Sequence, residues 1–174
     1  MRKEKLADSA GEHRAKSKLS ARVAVITLST SRSLADDKSG DLIQQLLEEA
    51  GHSVAIRKLL PDSRVLLRTA IRELARDKDI HAIITTGGTG VAPSDVTVEA
   101  VRGMLDKELP GFNALFMLLS YPQVKAASML SRALAGTLKG KAVFCLPGSP
   151  RACKLAMESL ILPELGHILM LLRS

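Results

Sequence analysis

The feature that most restricts the fold is a strand that runs straight into glycine. Ala82, Ile83 and Ile84 form an apolar run, Thr85 and Thr86 follow, and the chain then reads Gly87-Gly-Thr-Gly90-Val-Ala-Pro-Ser94-Asp95-Val-Thr97 before a helical pattern starts at Val98. A buried strand feeding a glycine turn at a helix start is how an α/β sheet builds a ligand site at its carboxyl edge. Glycine reaches positive φ and lets backbone N–H groups approach a ligand closely. Such a turn favours anions, through its free N–H groups and the helix dipole behind it. It is not a Walker loop, because no lysine follows the glycines, and Pro93 stands where a dinucleotide fingerprint needs its third glycine. Asp95 adds a carboxylate just past the turn, which points to a metal-bridged phosphate.

The segments on either side repeat this plan. Val23–Leu28 is a continuous apolar run, as expected of a central parallel strand. A polar loop follows, carrying Ser31, Arg32, Asp36, Asp37, Ser39 and Gly40, and leads into a helix over 41–50 with apolar Leu42, Ile43, Leu46 and Leu47, stopped by Gly51. Capping by Asp37 or Ser39 explains that loop on its own. A second strand over 53–59 closes at Pro61-Asp62, and a helix over 63–75 precedes the strand at 82–86. Residues 133–138 and 142–146 flank Lys139-Gly-Lys141 as a hairpin. The second of these strands runs into Pro147-Gly148-Ser149-Pro150 and a further helix, with Pro163 expected to kink or restart the last one. Strands alternating with helices give an α/β, three-layer, mostly parallel doubly wound sheet with an antiparallel edge pair and helices on both faces. Its polar turns at 29–40, 86–97 and 146–151 then share one edge, which predicts a polyphosphate or nucleotide-like ligand.

Residues 21–174 are expected to form a single domain, long enough to bury its own core. With 46% hydrophobic and 2% aromatic residues, that core must be aliphatic. No apolar run reaches the roughly 18 residues of a membrane span. Cys145 and Cys153 lack metal-like spacing and read as buried thiols in a reducing, cytoplasmic setting. The net charge is +7, and residues 1–22 hold seven Lys and Arg against three acids. Residues 1–20 read as a disordered basic tail. Four aromatics leave no stacking platform for bases, so nucleic acid is not an expected partner. Phe112–Leu119 is nearly uncharged, which suits either complete burial or a subunit interface, the latter preferred.

The stretch Thr85–Thr97, with Met129-Leu-Ser131-Arg132 and Leu146-Pro-Gly-Ser-Pro150, resembles the molybdopterin-binding MogA/MoaB family, which includes the G domains of gephyrin and its plant counterpart. The likeness runs from about Arg22 to the last helix, and the first loop is nearer the MoaB form. The resemblance implies molybdenum or tungsten cofactor biosynthesis, in which ATP and molybdopterin give adenylyl-molybdopterin and pyrophosphate. The alternative is a non-catalytic molybdopterin-binding or scaffold member of the same fold.

By that resemblance Asp37 and Asp95 would be catalytic and hold Mg²⁺. Ser31, Arg32, Ser39, Gly40, Thr86, Gly87, Gly88, Thr89, Gly90, Thr97, Ser131, Arg132, Pro147, Gly148 and Ser149 would bind substrate or nucleotide. The nucleophile would be the terminal phosphate of molybdopterin, mostly ionised at pH 7, so no general base is required. His13, His52, His81 and His167 all lie outside the motifs. The family also implies a homotrimer or hexamer and a downstream metal-insertion protein as partner.

Overall fold

A computed structural model of the chain describes residues 19–31 and 33–173. The proposed tail therefore lies almost wholly outside the described residues. β1 (Arg22–Leu28), β2 (Ser53–Leu60), β3 (Ala82–Thr86), β4 (Lys107–Glu108), β5 (Leu134–Leu138) and β6 (Lys141–Leu146) form one sheet in the order β2-β1-β3-β6-β5-β4. β2, β1, β3 and β6 are parallel, β5 runs antiparallel to β6, and β4 antiparallel to β5. The helices are α1 (Lys38–Glu49), α2 (Arg64–Arg76), α3 (Thr97–Arg102), α4 (Pro110–Val124), α5 (Pro150–Ala156) and α6 (Leu162–Leu171).

The unbroken apolar run of β1 follows from burial on both faces. Val23 and Val25 join Ile84, Phe144 and Leu146 in a cluster with Ile43 and Leu47 of α1, Phe112 and Phe116 of α4, and Cys153 and Ala156 of α5. The alternate residues Ala24 and Ile26 join Ile83 and Val143 in a second cluster with Leu67, Ile71 and Leu74 of α2 and Val98 and Val101 of α3. Strict alternation of side chains across a strand places one cluster on each face, which makes the three layers. The aliphatic core is as expected, and its three buried aromatics, Phe112, Phe116 and Phe144, all lie in the first cluster. Among the described residues no helix is long and apolar enough to cross a membrane.

Most elements form where the residue pattern places them. β4 is the exception, since two exposed charged residues at a sheet edge carry no pattern. α4 also runs past the expected 112–119 segment to Val124. A π-helical turn, Met157–Ile161, separates α5 from α6 just before Pro163, whose missing N–H cannot continue the regular ladder.

At the amino edge of the sheet two histidines hold adjoining segments together. His52 Nδ1 accepts the Ala21 N–H at 3.1 Å, and His81 Nδ1 accepts the Arg22 N–H at 3.0 Å. An accepting ring nitrogen carries no proton, so both bonds need the neutral imidazole. Burial pushes both side chains below the usual imidazole range; at His81 repulsion from Arg173, Lys141 and Arg22 adds to it. A lowered folded-state pKa means that the unfolded chain takes up the proton first as pH falls. The stabilisation is therefore complete above about pH 6.5 and lost as pH falls through the lowered values. We expect the urea midpoint to drop between pH 7.5 and 5.5, and the His52→Asn/His81→Asn variant, which keeps an acceptor, to show a shallower drop. An equally steep profile in that variant would remove the histidines from the effect.

Candidate functional site

The order of the strands reverses between β1 and β3, and the loops leaving their carboxyl ends part there, the usual place for a ligand in an open α/β sheet. A cleft of about 520 Å³ opens at this point. Its walls come from Leu28–Ser31 after β1, Asp62 after β2, Gly87–Gly90 with Asp95 after β3, Pro147–Ser149 after β6, and Ser131. Gly87 and Gly88 take φ of +97° and +65°, a left-handed pair that side chains resist. The Gly87 N–H donates to Leu146 O at 3.0 Å, but the amides of Gly88, Thr89, Gly90, Gly148 and Ser149 donate to no other described residue. Successive unpartnered amides in such a turn form an anion-binding concavity.

Buried hydroxyls hold these loops in place from behind. Thr97 Oγ1 donates to Gly87 O at 2.8 Å while its amide donates to Gly88 O at 2.9 Å. Thr86 Oγ1 donates to Pro147 O at 2.9 Å, and Ser39 Oγ to Gly148 O at 2.9 Å. Arg132 clamps the open side: its Nε donates to Gly90 O at 2.8 Å, its amide to Thr89 O at 3.1 Å, and its guanidinium pairs with Glu99. That arginine holds the Glu99 carboxyl below its ordinary range.

Two carboxylates face the cleft. Asp95 Oδ2 accepts the Ala92 N–H at 2.8 Å, and Asp62 Oδ2 accepts both the amide and the hydroxyl of Thr30, at 3.0 and 2.8 Å. Each keeps its second oxygen without a donor among the described residues. A second compartment of about 430 Å³ adjoins the first through Ser131, Pro147 and Ser149, with Phe116, Val124 and Leu155 among its apolar walls.

Residues 24–167 match a family described as a probable molybdopterin binding domain. The chain belongs to that family. Molybdenum cofactor biosynthesis protein B of Bacillus cereus is 43% identical over 161 residues, covering 92% of this chain and 95% of its own. A crystal structure of a molybdenum cofactor biosynthesis protein B superposes with a TM-score of 0.87 at 43% identity, over 89% of this chain and 97% of that one. The tungsten cofactor synthesizing protein MoaB from Pyrococcus furiosus superposes with a TM-score of 0.80 at 34% identity, over 89% and 98%.

Within this molybdopterin-binding domain the residues singled out from sequence take different places. Ser31, Gly87, Gly88, Thr89, Gly90, Asp95, Ser131, Pro147, Gly148 and Ser149 line the cleft. Thr86, Thr97, Ser39 and Arg132 brace it through the bonds above. Arg32 lies outside the described residues. Asp37 and Gly40 require correction, because neither lines the cleft. The Asp37 carboxylate is fully buried and committed, accepting from Thr27 Oγ1 at 2.6 Å, from the Gly40 amide at 2.9 Å as the cap of α1, and from Arg57 Nη2 at 2.8 Å. Ordinary capping, augmented by an ion pair from β2, accounts for it. Asp62 and Thr30 join Asp95 in the cleft wall; the only sequence signal for Asp62 was its position at the carboxyl end of a strand, where Pro61-Asp62 reads equally well as a turn.

Removing the Asp37 charge leaves Arg57 without its buried partner and weakens the cap. Asp37→Asn should therefore cost about 2–3 kcal/mol in urea unfolding. Loss of ligand binding at full stability would instead place Asp37 in the site.

Proposed function

We propose that this chain acts in molybdenum or tungsten cofactor biosynthesis by adenylylating molybdopterin with ATP. The observation that carries the reading is one cleft in which unpartnered glycine-turn amides stand against two half-free carboxylates. The amides suit phosphate oxygens, and the carboxylates suit the cation that a triphosphate brings. The names of the relatives supply the pathway. A phosphate oxygen of molybdopterin attacks the α-phosphorus of ATP, a new P–O bond forms, the bond to the bridging oxygen of the β-phosphate breaks, and pyrophosphate leaves. The attacking phosphomonoester is already mostly dianionic at pH 7, its second pKa being about 6. None of the chain's histidines is needed as a base.

The protein's part is then positioning and charge neutralisation. The Gly88–Gly90 and Gly148–Ser149 amides orient phosphates, and Ser131, shared by both compartments, stands where the pterin phosphate would meet the nucleotide. The half-apolar second compartment suits a heteroaromatic ring. Magnesium fits the donor set: it takes oxygen ligands and needs only one or two carboxylates beside substrate phosphates and water. Among the described residues no cluster of three or more His, Cys, Asp and Glu offers a fuller cage. Asp62 and Asp95 would hold it, and it would neutralise phosphate charge.

Incubation with molybdopterin, ATP and Mg²⁺ should release pyrophosphate and yield adenylyl-molybdopterin. Asp62→Asn and Asp95→Asn should each reduce turnover by about two orders of magnitude or more while molybdopterin still binds. Tight molybdopterin binding with no pyrophosphate from the wild-type chain would instead establish the non-catalytic, scaffold reading.

The same reading includes self-association. α4 buries Phe112, Phe116 and Ser120 but exposes Leu115, Leu118, Tyr121 and Val124, continued by Met129 and Leu130. Contiguous apolar surface of this kind marks an interface. Light scattering should find a trimer or hexamer, and Leu118→Glu should shift it toward monomer; a wild-type monomer would end this assignment.

A further inference from the structure

Arginine occupies every fourth position along α2, at 64, 68, 72 and 76. At 1.5 Å per residue they form a ridge about 18 Å long. Like charges at this spacing destabilise a helix. The acids beside them are turned elsewhere: Glu73, the helix's own acid, pairs with Lys58 at 3.5 Å, and Asp77, which follows Arg76, accepts the Asp79 amide at 2.9 Å. Among the described residues none of the four arginines has a carboxylate within ion-pair distance, nor has Lys139. At the carboxyl end of the ridge lies a groove of about 280 Å³, lined by Arg68, Arg72, Arg76 and Lys139 together with apolar Met104 and Leu138. Asp106, whose carboxylate lies beside Lys139, accepts the Lys139 amide at 2.5 Å. Arg68 Nε is withdrawn from solvent and has no hydrogen-bond partner, so an N–H there still lacks an acceptor.

We infer that this flank of α2 docks an acidic segment of a partner protein, carrying an apolar anchor between its carboxylates. Guanidinium groups pair with carboxylates in a bidentate, planar geometry. The apolar part of the groove's lining, Met104 and Leu138, suits a side chain, which a sugar–phosphate backbone does not offer. Single-stranded nucleic acid would also want stacking faces. Phe112, Phe116 and Phe144 are buried on the opposite side of the sheet, and Tyr121 lies on α4. The chain's own amino-terminal segment is excluded by sign, with seven Lys and Arg against three acids in its first 22 residues. The ridge is long enough for five or six extended residues of the partner. Arg64, at its amino end, also lines a cavity of about 370 Å³ shared with Asp95, so a partner on the ridge would sit beside the cleft. The inference does not depend on turnover in that cleft.

The test is fluorescence anisotropy on the full chain with a labelled peptide of sequence Glu-Glu-Leu-Glu-Glu-Leu-Glu-Glu. A single-stranded oligonucleotide of equal charge and inorganic tripolyphosphate serve as competing probes. The Arg68→Gln/Arg72→Gln/Arg76→Gln variant should lose peptide affinity about tenfold or more, with unchanged circular dichroism, and binding should weaken with salt. A control lacking the same number of charges elsewhere, Lys38→Gln/Lys125→Gln/Lys154→Gln, should change less than about twofold. Arg72→Glu alone gives the same direction should the triple variant not fold. Equal losses in ridge and control variants would overturn the inference, as would a ridge that binds oligonucleotide or tripolyphosphate in preference to the peptide.

Discussion

The turn after β3 leaves the amides of Gly88, Thr89 and Gly90 without an acceptor among the described residues, and the candidate site depends on that restraint. Its carbonyls are held from behind: Thr97 takes those of Gly87 and Gly88, and Arg132 those of Thr89 and Gly90. With the carbonyls held, the amides point outward, where water or an anion must satisfy them. The neighbouring loops are tied by the same device, one buried hydroxyl to one carbonyl, from Thr86 to Pro147 and from Ser39 to Gly148. Each such bond contributes only about 1 kcal/mol net, but a hydroxyl left unpaired in that interior would cost more. The loops therefore hold one another in register.

The sheet makes this mutual bracing possible. β1, β3 and β6 are adjacent and parallel, so residues far apart in the chain leave the sheet side by side. Thr86 of β3 and Leu146 of β6 are register partners, which brings Gly87 against Gly148 without any long-range design in the loops themselves. Burial also quiets chemistry that the site does not use. Cys145, register partner of Thr85, has its thiol pushed up to about 12 by burial, against a smaller opposing effect of the Thr85 hydroxyl. It is a core filler, not a nucleophile.

The two carboxylates near β1 show how environment assigns a role to a residue type. Asp37 and Asp62 both follow strands and both precede helices. Asp37 faces inward onto Thr27 and Arg57, so its oxygens are fully used. Asp62 bonds to Thr30 through one oxygen, lines the cleft, and keeps its other oxygen without a donor among the described residues. Nothing local in the chain distinguishes them. The decisive neighbours, Arg57 on β2 and Thr30 after β1, are 20 and 32 residues away.

Local pattern alone determined the strands of the parallel core, the helices between them, the hairpin, and the glycine turns at the strand ends, because strand alternation, helical spacing and glycine's freedom are written within a few residues. The family motifs likewise lie in contiguous stretches and were legible there. Which carboxylate shares the cleft with Asp95, and which motif hydroxyls brace loops instead of lining it, was decided only when the sheet brought distant segments together. The edge strand β4 and the arginine ridge beside its groove belong to the same class. Their meaning comes from what packs next to them, and packing partners are set by topology rather than by neighbours along the chain.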